Sequence, residues 1–313
     1  MKDYRLYLLD LDGTLYRGNE AVPHALDVVR ELRARNKLLR FVTNNSGLTR
    51  QELVAKLNSI GFEARLDEVY GTSWAAAEWC KSNSVQTVFV IGEEGLKSSL
   101  REASVEVIDQ DRPSADVVIA GICRTFDYKL CDLALQHLLA GAKFVATNRD
   151  ATYPLERGRL QPGAGMIVAA LEASSGIHPT VLGKPEPYLF ELVMAQARVG
   201  PSETLVVGDR LNSDIEGGQR AGCDTLLVLT GVTKKPPSET ETPYRWQPGG
   251  EPSTYRWRLA GTAHREPESI EEDPYRWQPA GEPIEEALQG DAGGTPAVRP
   301  EVLWAEDLRA LLN

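Results

Sequence analysis

The stretch Leu6-Tyr7-Leu8-Leu9-Asp10-Leu11-Asp12-Gly13-Thr14-Leu15-Tyr16-Arg17-Gly18 decides how the rest of the chain is read. An almost unbroken apolar run leads into two acids, a glycine and a hydroxyl. A run apolar on both faces predicts a central strand of a parallel sheet, covered by helices above and below. In open α/β sheets the ligand lies beyond the carboxyl ends of the strands, where Asp10 and Asp12 fall. Two carboxylates there suit a nucleophile, a general acid or a cation site, and Gly13 lets backbone amides approach an anion. Taken alone, the stretch also reads as a strand closed by an ordinary Asp-Gly turn.

Further along, Pro23 opens a helix to about Arg35, with Leu26, Val29 and Leu32 on one face. A second strand over 38–42 ends in Thr43-Asn44-Asn45-Ser46, small groups that either cap a helix or donate hydrogen bonds to a bound oxyanion. Thr49-Arg50-Gln51-Glu52 is a capping box, and its helix stops at Gly61. From Val69 strands and helices alternate: strands over 87–91, 116–120 and 143–147, helices over 94–103, 128–140 and 165–174. Such alternation predicts α/β architecture. The polar connection 148–165, with Asn148, Asp150 and Gly158-Arg159-Leu160-Gln161-Pro162-Gly163, has the length of a functional loop.

Val181-Leu182-Gly183-Lys184-Pro185 then places a lysine at a strand end, held between glycine and proline. By itself it reads as a surface lysine. Thr204-Leu205-Val206-Val207-Gly208-Asp209 is another strand delivering an acid, with Asp214 at the start of a helix. Asp214 alone is also explained by the helix dipole. A strand over 224–229, and a final strand and helix over 302–304 and 307–312, complete the pattern.

Composition bounds what this constellation can do. The chain has 313 residues, 42% of them hydrophobic and 25% charged, with a net charge of -11. This describes a globular protein with no basic footprint for nucleic acid and no affinity for anionic membranes. With neither a membrane span nor a signal pattern, a cytoplasmic location is expected. Cys80, Cys123, Cys131 and Cys223 form no metal-ligand spacing and read as reduced, mostly buried thiols. Residues 233–300 differ in kind, being dense in Pro, Gly and Glu. Tyr244-Arg245-Trp246-Gln247-Pro248 recurs as Tyr275-Arg276-Trp277-Gln278-Pro279 and partly as Tyr255-Arg256-Trp257, at no fixed period. Few aliphatic residues accompany these phrases, so the stretch is expected to be a disordered insertion; the triplets are also of a type that binds partners.

Clustered carboxylates repel unless a cation neutralises them, and an all-oxygen set favours Mg²⁺. A lysine, a hydroxyl and an amide beside that cation make a pocket for a phosphoryl group. Asp10-Leu11-Asp12-Gly13-Thr14, Thr43-Asn44-Asn45, Lys184 and Gly208-Asp209…Asp214 resemble, in order, the four motifs of the haloacid dehalogenase superfamily. Leu15-Tyr16-Arg17-Gly18 and Gly183-Lys184-Pro185-Glu186-Pro187 are similar to its class IIA, NagD-like phosphatases. The resemblance implies a Rossmann-like parallel core, residues 1–72, 182–232 and 301–313, interrupted by an α/β C2-type cap over 73–181. It further implies Asp10 as nucleophile, Asp12 as acid and base, and Thr43 and Asn44 on the phosphoryl oxygens. Lys184 would neutralise charge there. Mg²⁺ would sit on Asp10, Asp12 through its carbonyl, Asp209 and Asp214.

The expected activity is hydrolysis of a small phosphorylated metabolite, a sugar phosphate, phosphoglycolate, glycerol phosphate or nucleotide, with a homodimer possible. Asn148, Asp150, Leu160 and Gln161 in the cap are expected to select the substrate. A phosphotransferase or mutase on the same core, and an idle scaffold binding partners through the insertion, are the competing readings.

Overall fold

The computed structural model describes residues 2–108, 114–154, 159–235 and 302–312. The apolar run forms strand β1 (Leu6–Leu9), buried at every position. A small hairpin of β2 (Tyr16–Arg17) and β3 (Glu20–Ala21) follows. Next come α1 (Ala25–Ala34), β4 (Leu38–Thr43), α2 (Arg50–Ile60), β5 (Val69–Gly71) and α3 (Thr72–Ser82). The chain then runs through β6 (Thr87–Ile91), α4 (Glu94–Glu102), β7 (Glu106–Ile108), β8 (Val117–Ala120), α5 (Tyr128–Leu139) and β9 (Lys143–Ala146). An antiparallel pair, β10 (Thr152–Pro154) and β11 (Leu160–Pro162), precedes α6 (Ala164–Ser175) and β12 (Thr180–Val181). Last are α7 (Tyr188–Ala197), β13 (Thr204–Gly208), α8 (Glu216–Arg220), β14 (Asp224–Val228) and β15 (Val302–Ala305).

Two parallel sheets result. The first has the order β15-β14-β13-β1-β4-β5, with β1 paired to β13 and β4 at its centre as the opening run predicts. The second has the order β12-β9-β8-β6-β7. Alternation along β1 explains its burial: Tyr7 and Leu9 pack with Val28, Val29 and Leu32 of α1, while Leu6 and Leu8 face Leu189, Phe190 and Val193 of α7. Each such side chain contributes about 1.5–3 kcal/mol when withdrawn from water. The second sheet repeats the scheme, with α5 and α6 on one face and α3 and α4 on the other. Helix α3 serves both: Trp74 and Ala75 join the first sheet's core, Ala76 and Cys80 the second's.

Local signals behave as their chemistry dictates. Thr49 and Glu52 close the capping box, and Gly61 ends α2 at φ 110°. Cys80, Cys123 and Cys223 are buried free thiols and Cys131 is partly buried. Two expectations are corrected. The connection 148–165 contains the β10–β11 pair, whose strands are too short to show period-two alternation. The last segment is a 3₁₀ turn, Leu308–Leu312, rather than an α-helix. Strand β12, which leads to Lys184, pairs with β9 at the edge of the second sheet. Among the described residues no helix is long and apolar enough to cross a membrane. The Tyr-Arg-Trp phrases lie outside the described residues.

Candidate active site

The site forms where the carboxyl ends of β1 and β13 meet the loop after β4 and the segment after β12. Strand pairing sets Asp10 beside Asp209: the Asp10 backbone N–H donates to the Val207 carbonyl at 2.9 Å, two residues before Asp209. Asp214 arrives on a π-turn, Leu211–Ile215, directly before α8. Its Oδ2 accepts from the Arg210 backbone N–H at 3.1 Å. Carboxylate oxygens of Asp10, Asp209 and Asp214 lie within 4.8 Å of one another.

Lys184 enters this group from the junction between the sheets. Its Nζ donates to Asp10 Oδ1 at 2.5 Å and to Asp214 Oδ1 at 2.6 Å, with 3% of the side chain exposed. Burial opposes charge on this amine, but Asp10 and then Asp214 outweigh it and raise its pKa above the ordinary value. It therefore stays an ammonium. Burial, and next the charge of Asp214, hold Asp10 well above the usual carboxylate range, with Lys184 pulling it back. Asp209 is pushed up to about 6 by burial and then by Asp214. One lysine does not balance three clustered acids, two of them buried.

The free valences fit a cation. Asp209 Oδ1 is buried with no hydrogen-bond partner among the described residues. Its other oxygen accepts from the Val232 N–H, and the Thr233 N–H donates to its carbonyl at 3.2 Å. Thr230 Oγ1 donates to the Gly13 carbonyl at 2.7 Å. Residues 230–233 thus close the floor of the site. Glycine is required there, since a Cβ on Gly231 would overlap the Asp209 carboxylate, and Gly13 has φ 92° with its Cβ position 2.5 Å from Asp209 Oδ2. The sequence reading missed this loop because it abuts the Pro-rich stretch, although Thr230-Gly231 repeats the hydroxyl-plus-glycine signature of the other strand ends.

Thr14 Oγ1 donates to Asp10 Oδ2 at 3.1 Å. Asp12 stands outside the three-acid cluster. Its Oδ2 accepts from the Tyr16 hydroxyl at 3.3 Å, and Oδ1 lies 3.7 Å from Lys56 Nζ. Burial, then Asp12, raise the Tyr16 pKa, so its hydroxyl remains a donor. Neither Tyr16 nor Lys56 was marked by the sequence reading as a site residue.

Thr43 is buried at the end of β4, its Oγ1 accepting from the Asn45 N–H at 3.1 Å. The Asn44 side chain, expected to face a phosphate, is engaged by the protein at both ends. Its Nδ2 donates to the Lys184 carbonyl at 2.9 Å and to Asp150 Oδ2 at 3.2 Å. Its Oδ1 accepts from the Lys184 N–H at 2.8 Å. Asn148 Nδ2 donates to the Asn44 carbonyl at 2.8 Å. Asn148 and Asp150 therefore brace the loop carrying Thr43 against the segment carrying Lys184. Burial raises Asp150 while the Asn44 bond lowers it. Gly183 fits because a Cβ there would overlap the Thr147 carbonyl and sit 2.6 Å from Asn44 Oδ1.

Leu160 is exposed on β11, and Gln161 accepts from the Tyr153 hydroxyl. Arg124 donates through Nε to that hydroxyl at 3.0 Å and pairs with Glu93, which N-caps α4 by position. The β10–β11 pair is thereby latched to the segment after β8.

A haloacid dehalogenase-like hydrolase model matches residues 7–106, and a second HAD-hydrolase-like model matches 181–248. The 5'-nucleotidase YutF of Bacillus subtilis is 40% identical over 236 residues, 75% of this chain and 91% of that protein. The p-nitrophenyl phosphatase from Archaeoglobus fulgidus superposes with a TM-score of 0.72 at 33% identity, covering 77% of this chain and 92% of that one. A glycerol phosphate phosphatase from Mycobacterium tuberculosis in complex with magnesium has a TM-score of 0.68 at 35% identity, over 74% of this chain and 69% of that one. Four motifs in order, three clustered acids of which two share one lysine, and two relatives matched over nine-tenths of their length lead to one conclusion: the chain belongs to the haloacid dehalogenase-like hydrolase family.

Proposed function

We propose that the chain is a Mg²⁺-dependent phosphatase of small phosphomonoesters that carries the phosphoryl group on Asp10. The observation that supports this most is the single buried ammonium of Lys184 bridging Asp10 and Asp214 while Asp209 keeps one oxygen unpartnered. Such a site has a shielded nucleophile, a fixed cation and open valence for a metal. Asp10, Asp209, Asp214 and the Asp12 carbonyl would hold Mg²⁺, which would screen the carboxylates and draw negative charge from the phosphoryl oxygens.

In the first step an Asp10 oxygen attacks phosphorus, the bond to the leaving oxygen breaks, and the Asp12 carboxyl proton passes to that oxygen. In the second, water attacks phosphorus, its proton passes to the Asp12 carboxylate, and the bond to Asp10 breaks. Lys184 keeps Asp10 oriented through both displacements, and the Thr43 hydroxyl donates to a phosphoryl oxygen. Splitting the reaction suits its difficulty, since uncatalysed monoester hydrolysis can require acceleration of about 10²¹-fold.

Residues 73–181 act as the cap in this reading and select the substrate through the β10–β11 pair. A sugar phosphate or phosphoglycolate leads the substrate classes, followed by glycerol phosphate and nucleotides. A relative from Staphylococcus saprophyticus is named as an acid sugar phosphatase, and with the 5'-nucleotidase and the glycerol phosphate phosphatase it supports the sugar phosphate, nucleotide and glycerol phosphate classes. A cytoplasmic enzyme, as a possible homodimer, completes the proposal. The test is release of 4-nitrophenolate from 4-nitrophenyl phosphate, with a panel of phosphorylated metabolites beside it. Turnover dependent on Mg²⁺ is expected. Its absence with every phosphomonoester would overturn the proposal.

A further inference from the structure

We infer that Tyr16 and Lys56 form a clamp that holds the Asp12 carboxyl group in one orientation, which makes Lys56 a positioning residue for proton transfer to the leaving group. The inference rests on Asp12 being the acid of the proposed reaction. Both Asp12 oxygens have a partner: Tyr16 Oη at 3.3 Å on Oδ2 and Lys56 Nζ at 3.7 Å from Oδ1. The two partners also touch each other, with Lys56 Nζ 4.2 Å from the centre of the Tyr16 ring.

The clamp is anchored on both sides. Tyr16 is 1% exposed, and its carbonyl accepts from the Gly13 N–H at 2.8 Å, closing the turn that carries Asp12. Lys56 lies on α2 beside the buried Leu57 and one turn from the buried Leu53. That helix is fixed at its start by the Thr49–Glu52 box. Asp12 itself is half exposed, with 49% of its side chain accessible. Without the clamp its carboxyl group would rotate among several rotamers. A proton donor must sit within hydrogen-bond reach of the leaving oxygen, so a fixed rotamer sustains the transfer.

A misplaced acid hurts poor leaving groups more than good ones, and this separates positioning from general damage. The probes are 4-nitrophenyl phosphate and phenyl phosphate, which differ little in shape but much in leaving-group basicity. Lys56→Met should lower kcat/KM on phenyl phosphate about tenfold more than on 4-nitrophenyl phosphate. Tyr16→Phe should bias the ratio in the same direction, and Lys56→Arg should restore it. In an Asp12→Asn background, Lys56→Met should cause no further loss on phenyl phosphate, because the lysine acts through that carboxyl group. An unbiased ratio in both Lys56→Met and Tyr16→Phe, with a biased one in Asp12→Asn, overturns the clamp alone. An unbiased ratio in Asp12→Asn overturns the role of Asp12 as well. Should Lys56→Met unfold, Tyr16→Phe, which loses one oxygen atom, carries the test.

Discussion

The carboxyl edges of the two sheets share one parallel geometry yet carry opposite kinds of group. The first sheet's edge ends in Asp10 and Asp209, crowded by Asp214, with more negative charge than Lys184 neutralises and one oxygen unpartnered. The second sheet's edge bonds instead to the loop after β4: Thr147 Oγ1 donates to Ser46 Oγ at 3.2 Å, Asn148 donates to the Asn44 carbonyl, and Asp150 accepts from the Asn44 amide. One edge is left electrostatically unsatisfied, where a cation and a phosphate can bind. The other is saturated with hydrogen bonds, where rigidity is needed. A reactive group is useful only if its surroundings cannot relax around it.

The largest effect is expected from metal removal at the unsatisfied edge. EDTA should abolish 4-nitrophenyl phosphate turnover and Mg²⁺ should restore it, while Ca²⁺, which takes more ligands at longer distances, should support it poorly. Full activity in a metal-free preparation would remove the reason for crowding three acids around one lysine. Gly231→Ala should come next, because its Cβ would displace the Asp209 carboxylate. Mg²⁺ affinity by calorimetry should fall by at least about tenfold with the fold retained. An unchanged affinity would show that residues 230–233 do not shape the metal site.

Asp150→Asn tests the saturated edge. It leaves every acid of the first sheet in place but loosens the brace on Asn44. A misplacement approaching 1 Å at a site like this costs up to about 10²-fold, so kcat should drop roughly 10- to 100-fold with Mg²⁺ affinity little changed. Equal losses in kcat and in metal affinity would place Asp150 with the reactive edge instead. The smallest effect is expected at Leu160→Ala and Gln161→Ala. These should shift relative kcat/KM among phosphorylated substrates by a few-fold and leave melting nearly constant; uniform losses on all substrates would exclude a role in selection.

Much of the first edge was legible in the sequence because its signals are local. A buried strand followed at once by an acid needs no knowledge of distant contacts, and so Asp10, Asp209 and Asp214 were found with their strands. Lys184 was found by its motif, but its bridge between Asp10 and Asp214 was not, since Thr180 and Val181, the strand that leads to it, say nothing about where the lysine reaches. Asn44 showed the opposite difficulty. Its amide looked free for a phosphate because Lys184 and Asp150, more than 100 positions away, were invisible as partners. Gly231 and Lys56 were missed for the same reason: each matters only through a contact that folding creates.

Covalent trapping decides whether Asp10 carries the phosphoryl group. The protein with Mg²⁺ is quenched in acid during turnover of 4-nitrophenyl phosphate, then reduced with borohydride, which converts an aspartyl phosphate to homoserine. Homoserine is expected at position 10 by mass spectrometry of the digested protein, with neither homoserine nor turnover in Asp10→Asn. Modification of a different residue, or sustained turnover by Asp10→Asn, would contradict a phosphoryl group on Asp10.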